Sequence, residues 1–210
     1  MDADSLGRRI RLTDPDSGAW RYGYDLNGNL LFVDDPTAQQ HIAYCYDSAG
    51  RLTDKHYRDS ASYTTPCGQG RGSVAYTYDS YDNGAGWGIN ADPRTAVGRL
   101  TRVDDSSGHS VTFYDRLGRT QLVGMTISPP DAISTTATIR YDYDAADHVV
   151  AVTYPDGERV RYSFDPVGQI RSVRGLKSYV KRLTYDLLGR PRELRHGNAV
   201  TDLRTYGGAG

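Results

Sequence analysis

Glutamate and lysine are nearly missing from this chain. Two of the first (Glu158, Glu193) and three of the second (Lys55, Lys177, Lys181) stand among 26 acidic and 25 basic residues, so almost all charge is Asp or Arg. Glu and Lys are good helix formers while Asp prefers caps and turns, so the shortage, together with 23 glycines, argues against helical bundles. No apolar run approaches the roughly 18 residues that a bilayer-crossing helix needs, and Met1-Asp2-Ala3-Asp4 is acidic where a signal peptide would be basic and then apolar. A net charge of −1 with no run of like charges removes the electrostatic footprint of a nucleic-acid binder. Two cysteines, with no Cys-x-x-Cys or spaced Cys/His set, make neither a disulfide scaffold nor a zinc site. What the chain has is tyrosine: 17, against three phenylalanines and two tryptophans, an aromatic content at odds with disorder.

The tyrosines recur in a pattern. An aromatic, an aspartate, two variable residues and a glycine appear at Tyr24-Asp25-Leu26-Asn27-Gly28, Tyr46-Asp47-Ser48-Ala49-Gly50, Tyr114-Asp115-Arg116-Leu117-Gly118, Phe164-Asp165-Pro166-Val167-Gly168 and Tyr185-Asp186-Leu187-Leu188-Gly189. Tyr143-Asp144-Ala145-Ala146-Asp147 puts Asp147 in place of the glycine, Tyr78-Asp79 reaches Gly98 only after an insertion, and Gly7-Arg8 reads as a copy cut at its front. The steps are near 21 residues wherever nothing intervenes. Such self-similarity signals a repeat architecture.

Asp at the first and Gly at the fourth position suit a type I turn, with the glycine taking positive φ as the chain re-enters a strand. Before each turn bulky residues alternate, as in Arg182-Leu183-Thr184-Tyr185, which predicts strands with one packed face. After it, aliphatics stand two and five residues past the glycine, as in Leu30/Val33 and Ile170/Val173. That spacing implies a bulge between them. The expectation is an all-β chain of antiparallel hairpins, about 16 short strands with the usual length of five or so residues, forming a single array over 1–210. Insertions near 58–73, 82–97 and 125–137, rich in Gly, Pro, Ser and Thr, read as loops.

The iterated Tyr-Asp-x-x-Gly-Arg-Leu-Thr, as in Tyr46-Asp47-Ser48-Ala49-Gly50-Arg51-Leu52-Thr53, resembles the YD repeats of the Rhs family, which also occur in the B and C components of insecticidal toxin complexes and in teneurins. The resemblance covers essentially the whole chain. It implies a strip of hairpins wound into a spiral β-shell, or cocoon, holding a C-terminal toxic domain in the bacterial proteins, and an adhesive ectodomain in teneurins. On that footing the chain is expected to be a non-catalytic segment of a larger, secreted or cell-surface bacterial shell. Its implied partners are the remainder of that polypeptide and its toxin cargo, with self-association through edge strands. The alternative is an adhesive or carbohydrate-binding module. An oxidising life also leaves two readings for Cys45 and Cys67: a casual substitution in a column of small residues, or a disulfide pinning the first insertion to the sheet.

Candidate chemistry is sparse, and no catalytic, cofactor or metal residue is assigned. Asp165-Pro166-Val167-Gly168-Gln169 resembles the start of the Asp-Pro-x-Gly-Leu element at which Rhs proteins release their toxin, but Gln169 replaces the leucine and another repeat follows. Asp14-x-Asp16-x-Gly18 and Asp79-x-x-Asp82-Asn83-Gly84 supply fewer oxygens than a calcium loop. His41, His56, His109, His148 and His196 are isolated in sequence, and most of them are expected at solvent-facing strand positions. Gly68-x-Gly70-x-Gly72 and Gly84-x-Gly86-x-Gly88 lack the Lys-Ser/Thr of a phosphate loop. Arg8, Arg51, Arg99, Arg119 and Arg190, each following a turn glycine, are expected to bridge turn aspartates of adjacent hairpins.

Overall fold

A computed structural model of the chain describes residues 1–37, 39–59, 67, 73–81 and 84–207. Seventeen strands follow one another: β1 (Asp2–Ala3), β2 (Arg9–Asp14), β3 (Gly18–Tyr24), β4 (Leu30–Asp35), β5 (Gln40–Tyr46), β6 (Leu52–Asp59), β7 (Val74–Tyr78), β8 (Leu100–Asp105), β9 (Gly108–Tyr114), β10 (Thr120–Ile127), β11 (Thr135–Tyr143), β12 (Val149–Thr153), β13 (Arg159–Phe164), β14 (Ile170–Arg174), β15 (Ser178–Tyr185), β16 (Pro191–His196) and β17 (Thr201–Leu203). The only helical elements among the described residues are two 3₁₀ turns, Gly84–Trp87 and Pro93–Ala96. The chain divides into two compact units, one of residues 1–83, 96–111 and 126–135, the other of 84–95, 112–125 and 136–210. In the first, β1 to β8 pair antiparallel in sequence order and β8 continues onto the first half of β9. In the second, β11 to β17 do the same.

Six hairpins shift register directly before the aromatic of the repeat, at Gly23/Tyr24, Cys45/Tyr46, Thr77/Tyr78, Asp142/Tyr143, Ser163/Phe164 and Thr184/Tyr185. In the first of these Tyr24 pairs with Leu30 and Gly23 with Phe32, so Leu31 is the extra residue. This bulge accounts for aliphatics at two and five residues past the glycine: one added residue between Leu30 and Val33 returns both to one face. Thr53 and Thr101 take the same bulge position and turn their hydroxyls onto the backbone oxygens of Cys45 and Thr77.

The packed side chains are few. In the first unit β5 alternates buried and half-buried residues, with His41, Ala43 and Cys45 inside. His56, Thr101, Asp104 and Val111 join them. In the second, Phe113 and Leu122 are the largest fully buried side chains, beside Ala151, Val152 and Val160. The histidines correct the expectation that most face solvent: His41 and His56 are only 2% and 6% exposed, and His109, His148 and His196 are half-buried. His41 is held there by stacking on Phe32 and by a 2.7 Å hydrogen bond between its Nδ1 and Asp34.

Cys45 and Cys67 are joined as a disulfide, with Cα atoms 5.5 Å apart. Cys45 is therefore more than a small residue in a small-residue column. Closing a separation of 22 residues is worth about 3 kcal/mol in the chain-entropy account. The loops expected over 58–73, 82–97 and 125–137 are narrower than their composition suggests. β6 runs to Asp59, two 3₁₀ turns occupy part of the second, and β10 and β11 extend to Ile127 and from Thr135. Residues 60–66, 68–72, 82 and 83 lie outside the described residues, and with them Gly68, Gly70, Gly72, Asp82 and Asn83.

Every residue of the glycine column has positive φ, from 76° at Gly50 to 90° at Gly28, and Asp147 follows at 65°. Gly50 separates conformation from space, since an added Cβ there would meet nothing within 4 Å. Gly50→Ala is expected to cost about 1 kcal/mol through the backbone alone, read as a lower urea midpoint with an unchanged slope. An unchanged midpoint would mean that the column does not need its left-handed conformation.

Candidate functional site

The repeated turn is the most elaborated feature of the molecule. Its centre is the aspartate. In Asp47-Ser48-Ala49-Gly50-Arg51 the Asp47 N–H donates to the Arg51 carbonyl at 2.9 Å and the Gly50 N–H to the Asp47 carbonyl at 3.0 Å, which closes the turn. Oδ1 of Asp47 accepts the backbone N–H groups of Ala49 and Arg51, both at 2.9 Å, while Oδ2 accepts Nε–H of Arg51 at 2.8 Å. Asp4, Asp115 and Asp186 repeat the arrangement with Arg8, Arg119 and Arg190. Asp144 does so with His148, Asp25 with Asn29, and Asp165 accepts from Val167 and Gln169. Gly7-Arg8 belongs to a turn that Asp4 opens, with Ala3 in the tyrosine place and only the two residues of β1 before it.

The residue after the glycine then reaches beyond its own turn. Arg51 donates two hydrogen bonds to the Asp79 carboxylate, at 3.1 and 2.6 Å, and lies 4.6 Å over the ring of Tyr78. Arg119 donates to the Asp144 carbonyl and the Asp147 carboxylate and lies 4.4 Å over Tyr143. Arg8 meets the Asp25 carbonyl at 3.2 Å and covers Tyr24, Arg190 covers Tyr206, and His148 stacks on Phe164 with centroids 4.5 Å apart. Cation–π contact and ion pair therefore act at one place.

The aromatic side chains answer in the other direction. Tyr24, Tyr46, Tyr143, Tyr185 and Tyr206 donate their hydroxyls to the carbonyls of Arg9, Leu30, Thr120, Ile170 and Pro191, at 2.8 to 3.0 Å, each in the preceding hairpin. Tyr206 stands 21 residues after Tyr185 and fills the tyrosine place without the Asp-x-x-Gly that marks the others, which is why the motif alone missed it. Glu158 was also passed over: it accepts the Leu176 N–H at 2.9 Å and the Tyr179 hydroxyl at 2.7 Å, tying one loop to the next. Its rarity in the chain was the available signal.

Among the sequence candidates, Asp14 and Asp165 are occupied by hydrogen bonds within their own turns. Oδ1 of Asp14 accepts the N–H groups of Asp16 and Ser17 and the Ser17 hydroxyl. Among the described residues no group of three His, Cys, Asp or Glu could hold a metal ion. The pattern of Arg bridging neighbouring carboxylates holds at Arg51 and Arg119, whereas Arg8 takes a carbonyl and Arg190 a ring. Asp147 has a use that its place in the glycine column concealed, as an acceptor for Arg119 at 2.6 Å.

Backbone N–H donation from Arg51, with the Arg51 guanidinium beside it, holds the Asp47 carboxyl below its ordinary value, and Asp4 and Asp186 are lowered in the same way by Arg8 and Arg190. Asp79 is lowered chiefly by the side chain of Arg51, and Asp144 by that of His148. A carboxyl whose folded pKa lies below its unfolded value of about 3.9 stabilises the fold above that value, and the contribution is lost as pH falls through the folded pKa. The melting temperature is therefore expected to stay level from neutral pH to about 5 and to drop below about 4. A melting temperature unchanged down to pH 2 would contradict the role given to these carboxylates.

Comparison with known proteins follows the same repeat. The RHS Repeat profile matches residues 4–40, 133–159 and 143–175. Teneurin-4 of Mus musculus is 25% identical over 90% of this chain and Teneurin-4 of Homo sapiens 24% over 90%, the chain spanning 7% of each. The crystal structure of TcdB2-TccC3-TEV aligns with a TM-score of 0.77 at 17% identity, over 96% of this chain and 10% of its own. The Photorhabdus luminescens Tc holotoxin pore aligns at 0.76 and 17%, with the same coverage. These likenesses to solved structures fix the fold, an all-β array of antiparallel hairpins as in those structures. Profile, hairpins and turn chemistry agree over the matched segments, residues 4–40 and 133–175, which are similar to RHS repeats.

Proposed function

We propose that the chain is a non-catalytic segment of an RHS shell, one repeat array over 1–210, that encloses or presents a secreted toxin domain. One observation carries this reading: the turn aspartates, and the arginines and tyrosines where a repeat has them, are bonded to their own or a neighbouring hairpin, as Asp47, Arg51 and Tyr46 are, which commits them to structure. The likeness in fold to chains named as Tc toxin components supports it. The partners are then the rest of a longer polypeptide and its cargo, in a secreted or cell-surface setting to which a Cys45–Cys67 disulfide is suited. β17, three residues long and exposed throughout, is a strand through which further repeats or a second copy would pair.

The adhesive alternative is favoured by the similarity to Teneurin-4 over 90% of the chain. Sugar stacking on the YD tyrosines is disfavoured, since guanidiniums cover the rings of Tyr24, Tyr78 and Tyr143. The test is to express the chain together with the coding sequence that flanks it and to digest the product with a protease. A downstream domain that stays intact while the folded repeats persist, and becomes cleavable on acid unfolding, is the expected result. A downstream domain cleaved at once, or a saturable glycan ligand for the repeats, would overturn the shell reading in favour of the adhesive one.

A further inference from the structure

In the six hairpins with a bulge the residue three before the repeat's aromatic lies directly opposite the residue six after its glycine position, and the pairs differ between repeats. Arg21 faces Asp34, Ala75 faces Asp104 and Arg140 faces Thr153. Between β13 and β14, however, Arg161 faces Arg174, and between β15 and β16 Arg182 faces Arg195. Arg195 has a carboxylate beside it, Glu193 at 2.5 Å. The side chains of Arg161 and Arg174 form no ion pair or hydrogen bond with any described residue. Like charges directly opposite each other in a sheet are destabilising, so this pair costs stability in the free protein.

The two arginines line an open pocket of about 710 Å³ with Tyr162, Ser163, Ser172, Ser178, Val180 and Lys181, none of which carries a carboxylate. Ser163 faces Ser172 two register steps from the arginines and therefore on the same face of the sheet, their oxygens 2.7 Å apart, and Ser178 faces Arg174 from β15. Three cations and three hydroxyls thus stand on adjacent strands, which in a sheet lie about 4.8 Å apart. Guanidiniums present parallel donors that match the oxygens of a phosphate, and charge-assisted hydrogen bonds of this kind are the strong ones. The surplus of positive charge calls for a dianion over a single carboxylate.

We propose that this face of β13 to β15 is a binding site for a phosphate group, with Arg161 and Arg174 as its paired donors and Lys181 and the serines completing it. Occupation relieves the repulsion that the bare arginine pair imposes, so binding and stability are linked. The site is independent of the shell reading, because it rests on the charge of one sheet face and not on the repeat motif.

The test is thermal unfolding of the full chain in sodium phosphate, with sodium chloride and sodium acetate at matched ionic strength. Phosphate is expected to raise the melting temperature saturably, beyond either control. Arg174→Asp recreates the Arg21/Asp34 arrangement: it is expected to raise the melting temperature without phosphate and to abolish the phosphate-dependent rise. Arg161→Gln, the milder change, is expected to weaken the apparent affinity about tenfold or more, the loss of one charged hydrogen-bonding partner. Co-sedimentation with phosphatidylcholine vesicles containing phosphatidic acid, if lost in both variants, assigns the phosphate to a lipid headgroup. Its absence, with the phosphate shift retained, assigns it to a soluble phosphate. Equal shifts in phosphate and acetate, no shift at all, or a full shift in Arg174→Asp would each overturn the proposal.

Discussion

The turn carboxylate accepts two backbone N–H groups from its own loop and a guanidinium N–H from the residue that leaves it, as Asp47 does from Ala49 and Arg51. That arrangement sets what surrounds it. Two N–H groups converge on one oxygen only if the chain bends back within four residues, which puts the fourth residue at positive φ and selects glycine, 76° at Gly50. The arginine, anchored at Nε, has its terminal nitrogens left to reach the neighbouring hairpin, and its flat face left to cover the neighbouring ring. A thin sheet with few wholly buried side chains is thereby tied together along its turn edge as well as by its strand ladders.

Much of this was legible in the sequence, because the constraint is local. Hairpins, bulges and the left-handed column follow from residues within a single repeat, and Leu30/Val33 announced a bulge by spacing alone. What depends on a neighbouring repeat was harder to read. Asp147 in the glycine column looked like a tolerated defect, yet its carboxylate receives Arg119. His41 and His56 looked isolated because sequence separates them from Phe32, Asp34 and Ala43, while the ladder sets His41 against Asp34 and His56 against Ala43. Tyr206 lost its motif and kept its place.

Repeats free to vary at positions outside the turn give one scaffold different surfaces. Opposite the same column, Arg21 meets a carboxylate and Arg161 meets another arginine, and neither choice disturbs the turn. Function that is local to one chain is expected at such positions. The motif residues, by contrast, are committed to holding adjacent hairpins together, as Arg51 does with Asp79 and Tyr46 with Leu30.

The central claim is that the arginine after the glycine couples one hairpin to the next. A double-mutant cycle on Arg51→Ala and Asp79→Ala, measured by urea unfolding, tests it most directly, since Asp79 lies 28 residues from Arg51 in sequence and meets it only through the pairing of hairpins. The account predicts that the two losses are not additive, the second costing less once the first is made. Strict additivity would show that Arg51 serves only its own turn, and the coupling between repeats would then reside in the strands alone.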